Sequence, residues 1–218
     1  VSEMSIIYTL RSFWAQKDLK SWNYNNVLPY FKKSESIEGL DETYRNKSGP
    51  LKLSRSSEGN ELSKVYLEAA EQAGYEINND MNGYKQEGFG LMDTTIYGGR
   101  RQSTSVTYLH PVINRRNLTV ITNTIVNKII IKNNKAVGVE CTIGREIKKI
   151  HADNEVILSA GAINSPQLLM LSGIGNAEEL KKLDISVQHD LRGVGENLQD
   201  HLETYLQYEC TKLCTFIL

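Results

Sequence analysis

The stretch Val156-Ile-Leu-Ser-Ala-Gly-Ala-Ile-Asn-Ser-Pro-Gln-Leu-Leu-Met-Leu-Ser-Gly-Ile-Gly175, followed downstream by Gly193-Val-Gly-Glu-Asn-Leu-Gln-Asp-His201, decides the fold. Val156-Ile-Leu158 is a short apolar run of the kind that forms a buried strand. Ser159-Ala-Gly-Ala162 is a turn of small residues, which lets backbone approach a bulky anionic ligand closely. A helix is expected to start just afterwards, capped by Asn164 or Ser165, with Pro166 in its first turn, Gln167-Leu-Leu-Met-Leu171 as its apolar body and Ser172-Gly173 as its stop. Strand, glycine turn and helix N-terminus in succession make a phosphate site, because first-turn N–H groups lack acceptors and carry the positive end of the helix dipole. Spacing alone also fits an ordinary strand-turn-helix connection with glycine at a close contact.

The whole motif is more specific than its spacing. Gly161-Ala-Ile-Asn-Ser-Pro166, Ser172-Gly-Ile-Gly175 and the downstream Gly193 to His201 run together resemble the second signature of the glucose-methanol-choline (GMC) oxidoreductases, FAD-dependent enzymes acting on alcohols. Ala73-Gly-Tyr75, Asp80-Met-Asn-Gly-Tyr-Lys-Gln-Glu-Gly-Phe-Gly90, Gly99-Arg-Arg-Gln-Ser-Thr104 and His201-Leu-Glu-Thr-Tyr-Leu-Gln-Tyr-Glu-Cys210 most resemble the members that oxidise choline. The resemblance runs from about Trp14 to Lys212. It implies an α/β fold with α+β elements, part of an FAD-binding Rossmann-like domain of GMC type with the start of a substrate-binding domain. Residues 1–101 would be flavin-covering and substrate-side segments, 102–200 the central part of the FAD domain, and 201–218 the start of the substrate domain.

Two parts of the family's machinery are expected outside this sequence. One is the strand, Gly-x-Gly-x-x-Gly turn and helix that hold the FAD pyrophosphate. The other is the histidine that takes the substrate's hydroxyl proton, expected beyond Leu218. Gly88-Phe-Gly90 and Gly193-Val-Gly195 supply only the first two glycines of such a fingerprint. Leu10-Arg-Ser12 stands where the family has Arg-Gly, and Thr211-Lys-Leu-Cys-Thr-Phe-Ile-Leu218 drifts from the family pattern, as in a frameshifted or truncated gene. No catalytic residue is therefore assigned within the chain, and the 218 residues alone are expected to be inactive.

The resemblance implies oxidation of choline to betaine aldehyde, with hydride passing to the flavin. A sugar or aliphatic alcohol substrate, or a non-enzymatic remnant, stays open. A quinone acceptor is implied, at a bacterial inner membrane, in the cytoplasm or in mitochondria, with peripheral membrane association left open and secretion not expected. The residues expected at FAD are Val126, through its backbone, with Ala160, Gly161, Asn197 and His201. His201 follows Asp200, but the proton-accepting histidine lies further along in the family, and Val126 reads equally as a buried strand residue. A quaternary ammonium favours aromatic faces or a carboxylate. Glu203, Tyr205 and Tyr208 lie in a possible strand that fits either a pocket lining or a sheet packed on a helix.

Composition sets outer bounds. With 218 residues, 40% of them hydrophobic, and a formal net charge of -1, the chain can bury a core and lacks the basic balance that nucleic acid recruits. No apolar run approaches the roughly 20 residues of a membrane span. Val1-Ser-Glu-Met lacks the features of a signal peptide. Cys141, Cys210 and Cys214 are an odd count and read as free thiols. His110, His151 and His189 show no metal-ligand spacing, so no metal is expected.

Along the chain, Trp22 to Ser34 reads as a helix with Val27, Leu28, Tyr30 and Phe31 on an apolar side. Residues 34–57 read as a polar surface excursion, with a turn at Ser48-Gly-Pro50 and a short strand after it. Glu61 to Ala73 has helical spacing and a C-terminal glycine, Gly74. The five glycines of residues 80–101 suggest a long loop, and Arg100-Arg101 fits either a phosphate contact or a solvated face. Ser103 or Thr104 is expected to cap a further helix. Strands are expected at 118–122, 125–131, 136–141, 145–151 and 155–158, with turns at Asn133-Asn134 and Ile143-Gly144.

Overall fold

The computed structural model describes residues 19–55, 60–200, 202–207 and 209. They fall into two compact units, one within Val1–Thr119 and the other within Val120–Glu209.

In the first unit, helix α1 (Tyr24–Ser34) starts at Asn23, whose side chain accepts the Asn26 N–H. Val27 is its buried residue, with Tyr24, Leu28 and Phe31 packed on it. Tyr30, expected on the apolar side, instead stands 71% exposed. The helix runs into β1 (Glu35–Ser36), which pairs in parallel with β2 (Leu51–Lys52). β3 (Ser54–Arg55) pairs antiparallel with β4 (Asp93–Thr94), and β5 (Ile96–Tyr97) with β6 (Arg100–Arg101). Helix α2 (Glu61–Gln72) forms where its spacing predicts, capped by Asn60 and followed by Gly74 at φ +84°. Arg100 and Arg101 are exposed on β6. Ser103 accepts the Val106 N–H through Oγ and opens a π-helical turn, Ser105–Leu109, rather than a regular helix.

The polar excursion, described over residues 34–55, is mostly exposed or half-buried and carries the expected turn and short strand, but Glu35, Ile37 and Arg45 within it are buried. Arg45 is 1% exposed and sits among three carboxylates. Its Nε and Nη2 donate to the two oxygens of Glu35 at 2.9 and 3.1 Å. Nη1 donates to Asp80 Oδ1 at 2.6 Å and to Asp93 Oδ2 at 2.9 Å, and Nη2 also reaches Asp93 Oδ2 at 2.9 Å. Desolvation works against the guanidinium charge. The hydrogen bond and charge of Glu35, then the charges of Asp80 and Asp93, outweigh it and hold Arg45 more firmly protonated than an ordinary arginine. One side chain thus joins the start of β1, the loop at Asp80 and β4.

In the second unit, β7 (Thr124–Lys132), β8 (Lys135–Ile143) and β9 (Glu146–His151) form an antiparallel meander in the order β7-β8-β9. Asn133 and Asn134, both at positive φ, make the first turn, and Gly144 the second, as the sequence predicts. The β7–β8 register shifts between Val126 and Lys128, where Asn127 is held instead by a side-chain hydrogen bond to Thr142 at 2.9 Å. Ile129 and Cys141 are buried in this sheet. Helix α3 (Gly161–Leu171) packs along β7, followed by β10 (Ile174–Gly175), helix α4 (Ala177–Lys182) and β11 (His189–Asp190), the last parallel to β10.

Two expected strands do not form. Residues 118–122 and 155–158 join no ladder, and Val120, Ile121 and Ile157 are exposed, Ile157 by 77%. An apolar run becomes a strand only when a neighbouring strand takes its N–H and C=O groups, and no described segment does so for either run.

Candidate functional site

The turn into α3 is where the sequence places its ligand chemistry. The helix begins at Gly161, earlier than expected, and its N-cap position is Ala160, with no side-chain cap. Ser165 does not cap from outside the helix. It lies inside, and its Oγ reaches back to accept the Ala160 N–H at 3.0 Å. Pro166 likewise lies within the helix rather than in its first turn, where it removes one helical donor. Gly161 takes φ +87°, and a Cβ built there would meet nothing within 4 Å, so the turn's backbone is open to an approaching group. The first-turn N–H groups have no acceptor within the helix, which is the arrangement that receives an anion.

The far end of α3 is fixed firmly. Ser172, 6% exposed, accepts the Ile129 N–H of β7 at 2.7 Å and donates to Leu168 O at 2.6 Å. β7 is an edge strand of the meander, and this hydroxyl satisfies one of its outward N–H groups. Gly173 at φ +84° ends the helix, and its carbonyl accepts from Gln188 N–H and His189 N–H.

Of the residues predicted at FAD, Ala160 and Gly161 are both exposed at the start of α3. Val126 is 38% exposed on β7, beside the register shift. It lies three residues before Ile129, on the strand that Ser172 joins to the opposite end of the helix. Asn197 is exposed at φ +56°. The loop before it lies against α3, since a Cβ on Gly195 would meet Met170 and Pro166. His201 lies outside the described residues, as do Tyr208, Cys210 and Cys214. Glu203 and Tyr205 lie in an exposed, unpaired segment rather than a strand. The Tyr205 hydroxyl donates to Glu203 Oε2, and that hydrogen bond, then the Glu203 charge, raises the pKa of the phenol.

The anchoring role of Ser172 is one the motif contains but its spacing does not reveal. A serine at a helix end reads as a stop, and only the fold shows that it faces a strand edge. Among the described residues no three His, Cys, Asp or Glu side chains are grouped to hold a metal. Among them, too, no helix is long and apolar enough to cross a membrane.

Human mitochondrial choline dehydrogenase is 49% identical over 202 residues, 93% of this chain and 34% of its own length. Oxygen-dependent choline dehydrogenase of Brucella ovis is 47% identical over 202 residues, again 93% of this chain and 37% of its own. Among solved structures, an FAD-dependent oxidoreductase from Chaetomium thermophilum superposes with a TM-score of 0.76 at 28% identity, covering 84% of this chain and 34% of that one. The chain thus spans about a third of the length of the curated relatives it matches. With the turn and helix of its signature in place and the GMC oxidoreductase pattern matched over residues 9–203, the chain belongs to the GMC oxidoreductases, a family of FAD-binding flavoproteins.

Proposed function

We propose that this chain is the middle portion of an FAD-dependent alcohol dehydrogenase whose substrate is choline and whose product is betaine aldehyde. The observation that carries the cofactor part of this reading is the open turn at Gly161, leading into a helix N-terminus with no side-chain cap. The residues present fit part of an FAD site: Ala160 and Gly161 offer backbone open to a bulky group, and the first turn of α3 offers N–H donors to an electron-rich part of the cofactor other than the pyrophosphate, whose own element is expected outside the chain. Val126 contributes backbone beside the register shift, Asn197 follows the loop that lies on α3, and His201 belongs to the set through the family signature. FAD, when bound, supplies the hydride acceptor.

The choice of choline rests on the relatives of nearly half-identical sequence. Glu203, with Tyr205 hydrogen-bonded to it, provides a carboxylate and a ring of the kind that receives a quaternary ammonium. In this reading residues 1–101 supply flavin-covering and substrate-side segments, 102–200 form the centre of the FAD domain, and 201–218 begin the substrate domain. The proton acceptor is a histidine outside the chain, and electrons pass to a quinone at the inner membrane of a mitochondrion or bacterium. One relative's name specifies oxygen, so both acceptors belong in the assay.

The test is the flavin content and visible spectrum of the purified chain after incubation with FAD, followed by choline-dependent dye reduction. Stoichiometric bound flavin without turnover is the expected result. Absence of bound flavin would overturn the cofactor site as assigned to these residues, and turnover by the chain alone would overturn the placement of the proton acceptor outside it.

A further inference from the structure

The Arg45 cluster holds a chemically labile dipeptide. Asn82 is followed by Gly83, and both lie in the turn that begins at Asp80. The Asn82 N–H donates to Asp80 Oδ1 at 3.1 Å, and the Gly83 N–H donates to Asp80 O at 3.1 Å. The Asn82 side-chain Nδ2 donates to Asp93 Oδ2 at 3.3 Å, the same oxygen that Arg45 holds. The turn is tight at this point, since a Cβ on Gly83 would press on Asp80 Oδ2 at 2.9 Å.

We propose that Asn82-Gly83 is a site of spontaneous deamidation, guarded by the closed Arg45 cluster, and that conversion stops the cluster from closing again. The reaction is internal. The Gly83 backbone nitrogen attacks Asn82 Cγ, the new N–Cγ bond forms, and the Cγ–Nδ2 bond breaks. Ammonia leaves with the proton that Gly83 nitrogen gives up. Water then opens the five-membered imide at one of its two carbonyls, giving aspartate or isoaspartate, and nothing is oxidised or reduced. A glycine on the C-terminal side presents no side chain to hinder the attack.

In the closed state the attacking N–H is committed to Asp80 O, and the amide is held away on Asp93. Reaction therefore requires local opening of this turn. The product is poorly matched to the closed state. Asp80 Oδ2, Asn82 Oδ1 and Asp93 Oδ1 are already buried without a hydrogen-bond donor. Deamidation replaces the one donor that Asn82 offers Asp93 with a carboxylate oxygen. The cluster then holds four carboxylates (Glu35, Asp80, Asp93 and residue 82) against two guanidiniums, Arg45 and the more distant Arg55 at 3.6 Å from Asp93. Isoaspartate adds a backbone methylene to a turn already filled. Each opening thus carries a chance of irreversible loss, which makes the site a record of how often the cluster has opened.

The test follows the 218-residue chain in mildly alkaline buffer, with conversion at Asn82 read by peptide mass spectrometry. Conversion is expected to be at least roughly tenfold slower in the folded chain than in urea, with Arg45→Met moving the folded rate toward the unfolded one. Independently, Asn82→Asp is expected to lower the urea midpoint relative to wild type, and Asn82→Ser to abolish conversion. Equal rates in folded and unfolded chains, no conversion in urea, or an Asn82→Asp midpoint equal to wild type would each overturn the proposal.

Discussion

Replacing Arg45 with methionine keeps most of the side chain's volume and removes its charge and its five hydrogen bonds to Glu35, Asp80 and Asp93. Charge-assisted bonds contribute about 1.5–3 kcal/mol each when deleted singly, so a simple sum would exceed the stability of a small unit. The sum is not the answer, because the five bonds share one cation and three anions. The relevant comparison is with buried ion pairs from which one partner is removed, which lose about 3–5 kcal/mol because the remaining charge stays buried and unpaired. Glu35, Asp80 and Asp93 would keep neutral donors from Asn46 and Asn82, but among the described residues their one cation would be Arg55, 3.6 Å from Asp93. A loss of about 3–5 kcal/mol is therefore expected for the first unit, and Arg45→Lys should lose less, since it keeps the charge but not the planar fork. Urea unfolding followed by far-ultraviolet circular dichroism measures it, fitted with separate transitions if the two units unfold apart. Combining Arg45→Met with Glu35→Gln, Asp80→Asn and Asp93→Asn should recover part of the loss, since no buried unpaired carboxylate then remains, and Arg55, left without Asp93, is partly exposed to water. A loss under about 1 kcal/mol for Arg45→Met would refute the reasoning, because only an exposed pair is worth so little.

Ser172→Ala removes the acceptor of a buried strand-edge N–H and is expected to destabilise the second unit by about 1–3 kcal/mol in the same assay. Gly161→Ala meets no steric obstacle and suffers only the left-handed backbone, about 1–2 kcal/mol, while Gly173→Ala also drives its Cβ into Ser186 O; the midpoint should fall further for Gly173→Ala. Asp190 accepts the Ala177 N–H at the start of α4, and that hydrogen bond, followed by the charge of Arg192, holds its carboxyl below the ordinary value. A depressed folded-state pKa means that the stabilisation is present above the unfolded-state value of about 4 and is lost as pH falls through the folded one. The stability difference between wild type and Asp190→Asn should accordingly be constant near neutrality and vanish in acid, and a difference that grows in acid would contradict the assignment.

Much of the fold could be read locally. Helix α2 announces itself through its apolar spacing, Asn60 and Gly74. The meander announces itself through β-rich runs broken at Asn133-Asn134 and Gly144, because those residues tolerate positive φ. The signature around Gly161 reads as a turn entering a helix, but Asn164 and Ser165 are good caps and Pro166 suits a first turn, so the sequence points to a start later than the one at Gly161. Ser165 instead turned its hydroxyl inward to Ala160. The burial of Arg45 is illegible for a different reason. The polarity around it suggests solvent, and most of its neighbours are at the surface, yet Arg45 is buried because Asp80 and Asp93, distant in sequence, meet it. No local pattern encodes that meeting.

The unpaired run at 155–158 shows the same limit from the opposite side. Its composition states a need, that of an apolar segment for neighbours on both edges and both faces, as in a parallel sheet. Composition cannot state whether the need is met, since pairing belongs to two segments at once. Within the described residues β9 turns back on β8, and no strand lies beside residues 155–158. Ile157 therefore stays exposed, as does Ile163 at 70% on the apolar helix that follows. A strand added beside this run would pair with its backbone, and an element packed on the face of that sheet would bury Ile157. That makes the entry to α3, where Ala160 and Gly161 offer their backbone, the part of the second unit whose order depends most on what packs against it. Hydrogen exchange should find it the least protected stretch between β9 and α4, while the Ile129 amide, held by Ser172, exchanges slowly.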